Sequence, residues 1–242
     1  VGNYQEDAGG TSAGAAYIFK RDTGAETWTQ QAKLTASDAA SNDKLGWGVS
    51  IDGAYAIAGA HNENSGAGAA YIFKRTGSNW EQEAKITADN AGGGDYFGYD
   101  VTISGDYVAV GAIYEDTTAS EAGSVYIFKR SGTNWTQQQR IQSNDVAAND
   151  NFGSAVAMDG DYLAVSSPYD NSNYGAIYFF VTVYKLLLDQ QLYDEMILEK
   201  VDFLLSDKWP NYMKFKSSAI QILGCLNENR FYKNIIYFSD ES

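Results

Sequence analysis

One aromatic phrase returns four times along the chain, as Tyr17-Ile18-Phe19, Tyr71-Ile72-Phe73, Tyr126-Ile127-Phe128 and Tyr178-Phe179-Phe180, at steps of 54, 55 and 52 residues. A fixed period near ~50 residues signals a propeller or a solenoid, whose units bury their apolar faces only against one another. Other landmarks keep step. Trp28, Trp80 and Trp135 follow their tyrosines by eleven, nine and nine residues, and Leu45-Gly46, Phe97-Gly98 and Phe152-Gly153 open the later copies.

Within the copy from Phe97, Val101-Thr102-Ile103 alternates, Ser104-Gly105-Asp106 breaks the pattern, and Tyr107-Val108-Ala109-Val110 resumes it before Gly111-Ala112. That is a hairpin. Asp52-Gly53 and Asp159-Gly160 hold the same place in the neighbouring copies, and Asp-Gly is expected to supply the positive φ of a two-residue turn. A third strand follows over 124–130. After Ser131-Gly132-Thr133-Asn134 a fourth runs over 135–141, so each copy makes one four-stranded antiparallel blade. Small residues such as Gly59-Ala60 and Gly111-Ala112 suit the crowded axis, and the aromatic residues suit the space between blades. Asp43, Asp95 and Asp150, each two residues before the Leu-Gly or Phe-Gly pair, are expected to cap turns through backbone N–H groups.

Phe97-Gly98, followed fourteen residues later by Gly111-Ala112, resembles the FG-GAP repeat of integrin α-chain propellers and related surface proteins. Leu45 in place of Phe, and Ser166-Ser167-Pro168 where Gly-Ala is expected, are departures. The resemblance implies a non-enzymatic binding or adhesion scaffold, extracellular or at the cell surface, with a protein or glycan ligand. It also implies Ca²⁺ in some blades, held by a D-x-D-x-D-G loop between the first two strands. Here only Asp52-Gly53-Ala54 separates those strands, too little chain to supply six to eight oxygens, so the sequence is closer to the cation-free variant and no cofactor is expected. Weak calcium binding by other acidic loops stays open.

Those loops precede the third strands: Asn62-Glu63-Asn64, Tyr114-Glu115-Asp116 and Tyr169-Asp170-Asn171. Their spacing differs between copies, so they read as solvated connections rather than metal loops. They are nevertheless the candidate interaction residues, because recognition sits preferentially on loops held by rigid scaffolds.

The chain is expected to contain a partial blade at 1–36 with only its last two strands, whole blades at 45–87 and 97–142, and a partial blade at 152–180. Propellers typically close with four to eight blades. Self-assembly that completes the propeller is therefore a further expectation, since open blade faces invite association. After Phe180 glycine nearly vanishes, with Gly224 alone in 181–242. Leu188, Leu192, Met196 and Phe203 fall at helical spacing. The fold class is thus mostly β, propeller-type blades followed by an α-helical tail over 181–242. Residues 201–226, with Phe215-Lys216-Ser217-Ser218-Ala219 heading an apolar stretch, resemble the second helical box of cyclins, which implies the alternative of an intracellular regulatory protein working through its tail.

Charge and catalysis complete the reading. The net charge is −14, mostly from the repeats, and an acidic surface repels phosphate backbones and anionic lipids. Nucleic acid is not an expected partner, and no apolar run suits membrane insertion. His61 is the only histidine and Cys225 the only cysteine, so multi-histidine metal centres and a disulfide framework are ruled out. The glycine runs lack the strand–helix context and lysine of nucleotide loops. No enzyme is expected.

Overall fold

A computed structural model of the chain describes residues 1–170 and 174–181. Among these residues the architecture is four antiparallel sheets. The first holds β1 (Gly2–Asn3), β2 (Ala15–Asp22) and β3 (Thr27–Leu34); the second holds β4 (Val49–Asp52), β5 (Tyr55–Ala60), β6 (Ala69–Thr76) and β7 (Asn79–Ile86), with a short turn α1 (Glu63–Gly66) before β6. The third holds β8 (Phe97–Ser104), β9 (Tyr107–Ala112), β10 (Ser124–Ser131) and β11 (Asn134–Ile141), and the fourth β12 (Val156–Asp159), β13 (Tyr162–Ser167) and β14 (Ala176–Val181). Each sheet is a meander with strands paired in chain order. They are blades 1 to 4. The expected helical tail beyond residue 181, and Asn171, lie outside the described residues.

The cores lie between blades, and strand periodicity makes them. Along β5, Tyr55 and Ile57 point into a cluster with Phe97, Val101, Ile103, Val108, Val110, Tyr126 and Phe128 of blade 3. Ala56, Ala58 and Ala60, one step out of phase, join the cluster with Ala16 and Leu34 of blade 1. Successive strand residues face opposite sides. A strand serving two cores must therefore be apolar throughout, and Tyr-Ala-Ile-Ala-Gly-Ala is. The aromatic residues of the phrase pack edge to face, with Phe97 5.5 Å from Tyr126 and 6.0 Å from Phe128 between ring centres.

At Gly59 blades 2 and 3 approach closely. A Cβ built there would lie 1.9 Å from Gly98 O, and one on Gly111 would lie 2.1 Å from Gly153 O. Only glycine fits. The same test on Gly2 places Gly46 O at 1.8 Å, and Gly2 pairs with Ala16, so residues 2–3 form a second strand of copy one. Blade 1 therefore has three strands where the sequence suggested two, because β1 is too short to show alternation. In blade 4, Ser166 holds the place of Gly59, since Gly153 N–H donates to Ser166 O at 2.9 Å as Gly46 N–H does to Gly59 O at 2.9 Å.

The inner strands are tied by side chains. Ser50 Oγ accepts from Ile103 N–H at 3.3 Å and an Asp52 carboxylate oxygen from Gly105 N–H at 2.7 Å. From blade 3, Asp100, Thr102 and Ser104 accept from the N–H groups of Val156, Met158 and Gly160 at 2.8, 3.2 and 3.1 Å. This corrects the turn assignment. Asp52 pairs with Tyr55 as the last strand residue, and Gly53, at φ 55°, opens the Gly53-Ala54 turn. Asp52 is free to cap the next blade's turn. Asp43, Asp95 and Asp150 do cap turns as expected, accepting from Ala40, Gly92 and Ala147 N–H at 2.6, 2.7 and 2.6 Å. Burial raises the pKa of all three.

Candidate functional site

The candidate loops join the second and third strands of each blade, and the structure divides them. Glu63, Glu115 and Asp170 occupy one repeated position, shared by Glu6 in blade 1, and each faces its own blade. Glu6 accepts from Lys33 at 2.7 Å and Tyr17 OH at 2.9 Å, interactions that lower its pKa. Glu63 accepts from Lys85 at 2.9 Å. Glu115 is fully buried and accepts from Arg140, Asn90 and Ser124 at 2.8, 3.0 and 2.8 Å. Asp170, also buried, accepts from Tyr178 OH. Glu115 and Asp170 are thus not the solvated acids expected. Lys33, Lys85 and Arg140 come from the fourth strands, so each bond staples a loop to its blade.

What remains outward on these loops is Asn64 and Asp116, which are exposed, and Tyr169, with half-exposed Asn62 and Tyr114. Asn62 donates to Asn42 O at 2.8 Å. Tyr114 belongs to a larger feature. From Tyr4 a row of rings runs to Trp47 (4.6 Å), then to His61 (4.7 Å) and Tyr99 (5.6 Å), from His61 to Tyr96 (5.1 Å), and from Tyr96 to Tyr114 (5.0 Å). The row crosses blades 1, 2 and 3. Trp47 and Tyr99 directly follow the Leu45-Gly46 and Phe97-Gly98 pairs, and Tyr96 directly precedes one. Tyr96 is held at φ 60°, a conformation that is an outlier for a bulky residue. Tyr4 and Trp47 are each 37% exposed.

The FG-GAP repeat model matches residues 28–73, 80–128 and 135–180. The chain belongs to the FG-GAP repeat family. A comparison with curated proteins finds no match. Each matched FG-GAP segment begins on a Trp strand and ends on the aromatic phrase of the next copy, so it spans β3–β6, β7–β10 and β11–β14. The sequence repeat and the blade are thus offset by one strand. Parallel bridges at Gly14–Leu45, Gly68–Phe97 and Gly123–Phe152 join the residue just before the third strand of blades 1, 2 and 3 to the next blade's opening residue. Every FG-GAP unit therefore crosses a blade boundary, and the family points to a β-propeller-like interaction module.

In this FG-GAP chain the aromatic row has one polar centre. His61 is 3% exposed and its Nδ1 has no hydrogen-bond partner. Burial, with a smaller contribution from the charge of Lys44, lowers its pKa to about 4, so the imidazole is neutral near pH 7. It therefore packs as an aromatic ring among Trp47, Tyr96 and Tyr99. Lys44 Nζ sits 5.8 Å from the Trp47 ring centre. Exposed ring faces of this kind attract cations and stack on apolar surfaces. Sequence reasoning passed over Tyr4, Trp47, Tyr96 and Tyr99, assigning aromatic residues to inter-blade packing. The available signal was position: Phe97 and Phe152 begin their blades buried, whereas the residues flanking the pair vary between Lys44, Tyr96 and Asn151 and between Trp47, Tyr99 and Ser154.

Proposed function

We propose that the chain is a non-enzymatic adhesion module that binds a protein or glycan ligand through the aromatic row. FG-GAP repeats are typical of extracellular and cell-surface proteins, which supports a location there. The observation that carries the reading is the run of rings from Tyr4 to Tyr114 across three blades, with Tyr4 and Trp47 each 37% exposed. Residues of different blades meet there, so the rings are fixed by the cores beneath them and lose little freedom on binding.

No metal enters this reading. The first hairpin of blade 2 turns through Gly53-Ala54 alone, and the acids of the following loops are engaged by Lys85 and Arg140. An excess of acidic residues elsewhere on the repeats favours partners with basic surfaces. The test is flow cytometry of intact source cells with the labelled full chain. Saturable binding should fall at least about tenfold with Trp47→Ala plus Tyr4→Ala, a loss of about 1.4 kcal/mol or more, with far-UV circular dichroism unchanged. Undiminished binding by that double variant sinks the proposed site. A hydrolase activity removed by His61→Ala would overturn the non-enzymatic reading.

A further inference from the structure

Asn134-Trp135-Thr136 is the one Asn-x-Ser/Thr triplet in the sequence, the signal for attaching a glycan to an asparagine side chain of a secreted protein. Its place in blade 3 leaves it accessible. Asn134 opens β11 at a hairpin tip where Gly132, at φ 66°, turns the chain, and it pairs across the turn with Ser131. Successive strand residues face opposite sides, so the Asn134 amide and the Thr136 hydroxyl share one face and Trp135 takes the other. Trp135 packs against the core between blades 2 and 3, with its Nε1–H donating to Glu83 at 3.3 Å. Asn134 and Thr136 are exposed, and neither side chain has a hydrogen-bond partner among the described residues.

That exposure belongs to the position in the repeat. Asn79 holds the same place in blade 2, between blades 1 and 3, and it is exposed, as is Glu81 at the place of Thr136. Each earlier copy has only half of the signal: Asn79 is followed by Trp80-Glu81, and Thr29 is preceded by Thr27-Trp28. Asn and Thr coincide in blade 3.

We propose that Asn134 carries an N-linked glycan. Its amide nitrogen attacks the anomeric carbon of an oligosaccharide held on a lipid pyrophosphate. The new N–C bond replaces the C–O bond, the pyrophosphate leaves, and the amide gives up one proton. The proposal rests on the extracellular reading, because this transfer acts on chains that enter a secretory route. β10 runs from Ser124, at the end that carries the Tyr114 loop, to Ser131 beside the acceptor. Seven strand steps are about 23 Å, so the glycan leaves the aromatic row clear. β11 is the outer edge of blade 3 and its charged residue is Arg140 alone. A glycan on its first residue therefore keeps other strands from its unpaired N–H and C=O groups.

The experiment takes the full chain from its source, removes N-linked glycans with a glycosidase in ¹⁸O-labelled water, digests with trypsin and reads the 131–140 peptide by mass spectrometry. The expected result is conversion of Asn134 to ¹⁸O-labelled Asp, seen only after the glycosidase. In parallel, the full chain is translocated into microsomes behind a cleavable leader. It should gain a glycosidase-sensitive increase in mass that Asn134→Gln and Thr136→Val each abolish. No increase in microsomes, or an increase that survives Asn134→Gln, overturns the acceptor and leaves the extracellular reading standing. An unmodified chain from the source beside a modified one in microsomes overturns the occupancy and places the failure in the extracellular reading.

Discussion

Blades 1 and 3 carry the same aromatic phrase in opposite circumstances. Phe128 of blade 3 is 3% exposed and packs on blade 2, whereas Phe19, its equivalent in blade 1, is 40% exposed. Trp28 is 65% exposed, while its counterpart Trp135 packs against the core between blades 2 and 3. The residues are alike, so the difference comes from the neighbours. Phe19 and Trp28 face the side on which no blade precedes them among the described residues. A blade is therefore a half-built core, and each repeat is stabilised by its neighbours as a quasi-one-dimensional array requires.

The largest expected contrast follows from that pair. Phe128→Ala should cost about 4 kcal/mol in denaturant unfolding, and Phe19→Ala less than about 1 kcal/mol. Equal losses would mean that blade 1 is covered in solution. The loop staples give the second contrast. Arg140→Met leaves Glu115 buried without its cation and should cost about 3 kcal/mol. Lys33→Met, whose partner Glu6 is solvated, should leave the midpoint unmoved in the same assay.

His61 adds a pH test to the comparison, because the next copy carries Ile113 in its place. Its folded pKa, about 4, lies below its unfolded value of 6.5, so the unfolded chain binds the extra proton between these pH values. Stability from this group is complete above pH 6.5 and is lost as pH falls towards 4. The loss is about 2 kcal/mol after allowing for partial screening. The buried Asp43, Asp95 and Asp150, whose pKa values are raised, act in the opposite sense at low pH, so the informative quantity is wild type minus His61→Ile. If that difference does not vary from pH 7 to 4, the imidazole is not buried neutral. The smallest contrast compares the blade contacts: Gly111→Ser should destabilise by about 2 kcal/mol through the clash with Gly153 O, whereas Ser166→Gly should change little beyond backbone entropy. An Ser166→Gly loss as large as that of Gly111→Ser would show that Ser166 Oγ, which accepts from Ala155 N–H at 2.8 Å, holds blade 4 together.

The aromatic row was illegible for a different reason from the blades. Strand alternation and Gly-rich turns are local, and they located β10 and β11 within a residue of the observed ends, while β8 begins at Phe97, four residues before the alternation at Val101. Tyr4, Trp47, Tyr96 and Tyr99 belong to three copies and meet only after blades stack. Glu115 looked like a loop acid because Arg140, its cation, lies twenty-five residues away.

By itself the sequence determined the repeat, the four-stranded unit, the turn-capping aspartates and the family, because each depends on chemistry within some fifty residues of chain. Tertiary structure alone decided which aromatic rings are core and which form an outward row, which acids are neutralised, and that Gly2-Asn3 is a strand. Those outcomes depend on what the adjacent blade places within a few ångströms, and identical residues in successive copies meet different neighbours.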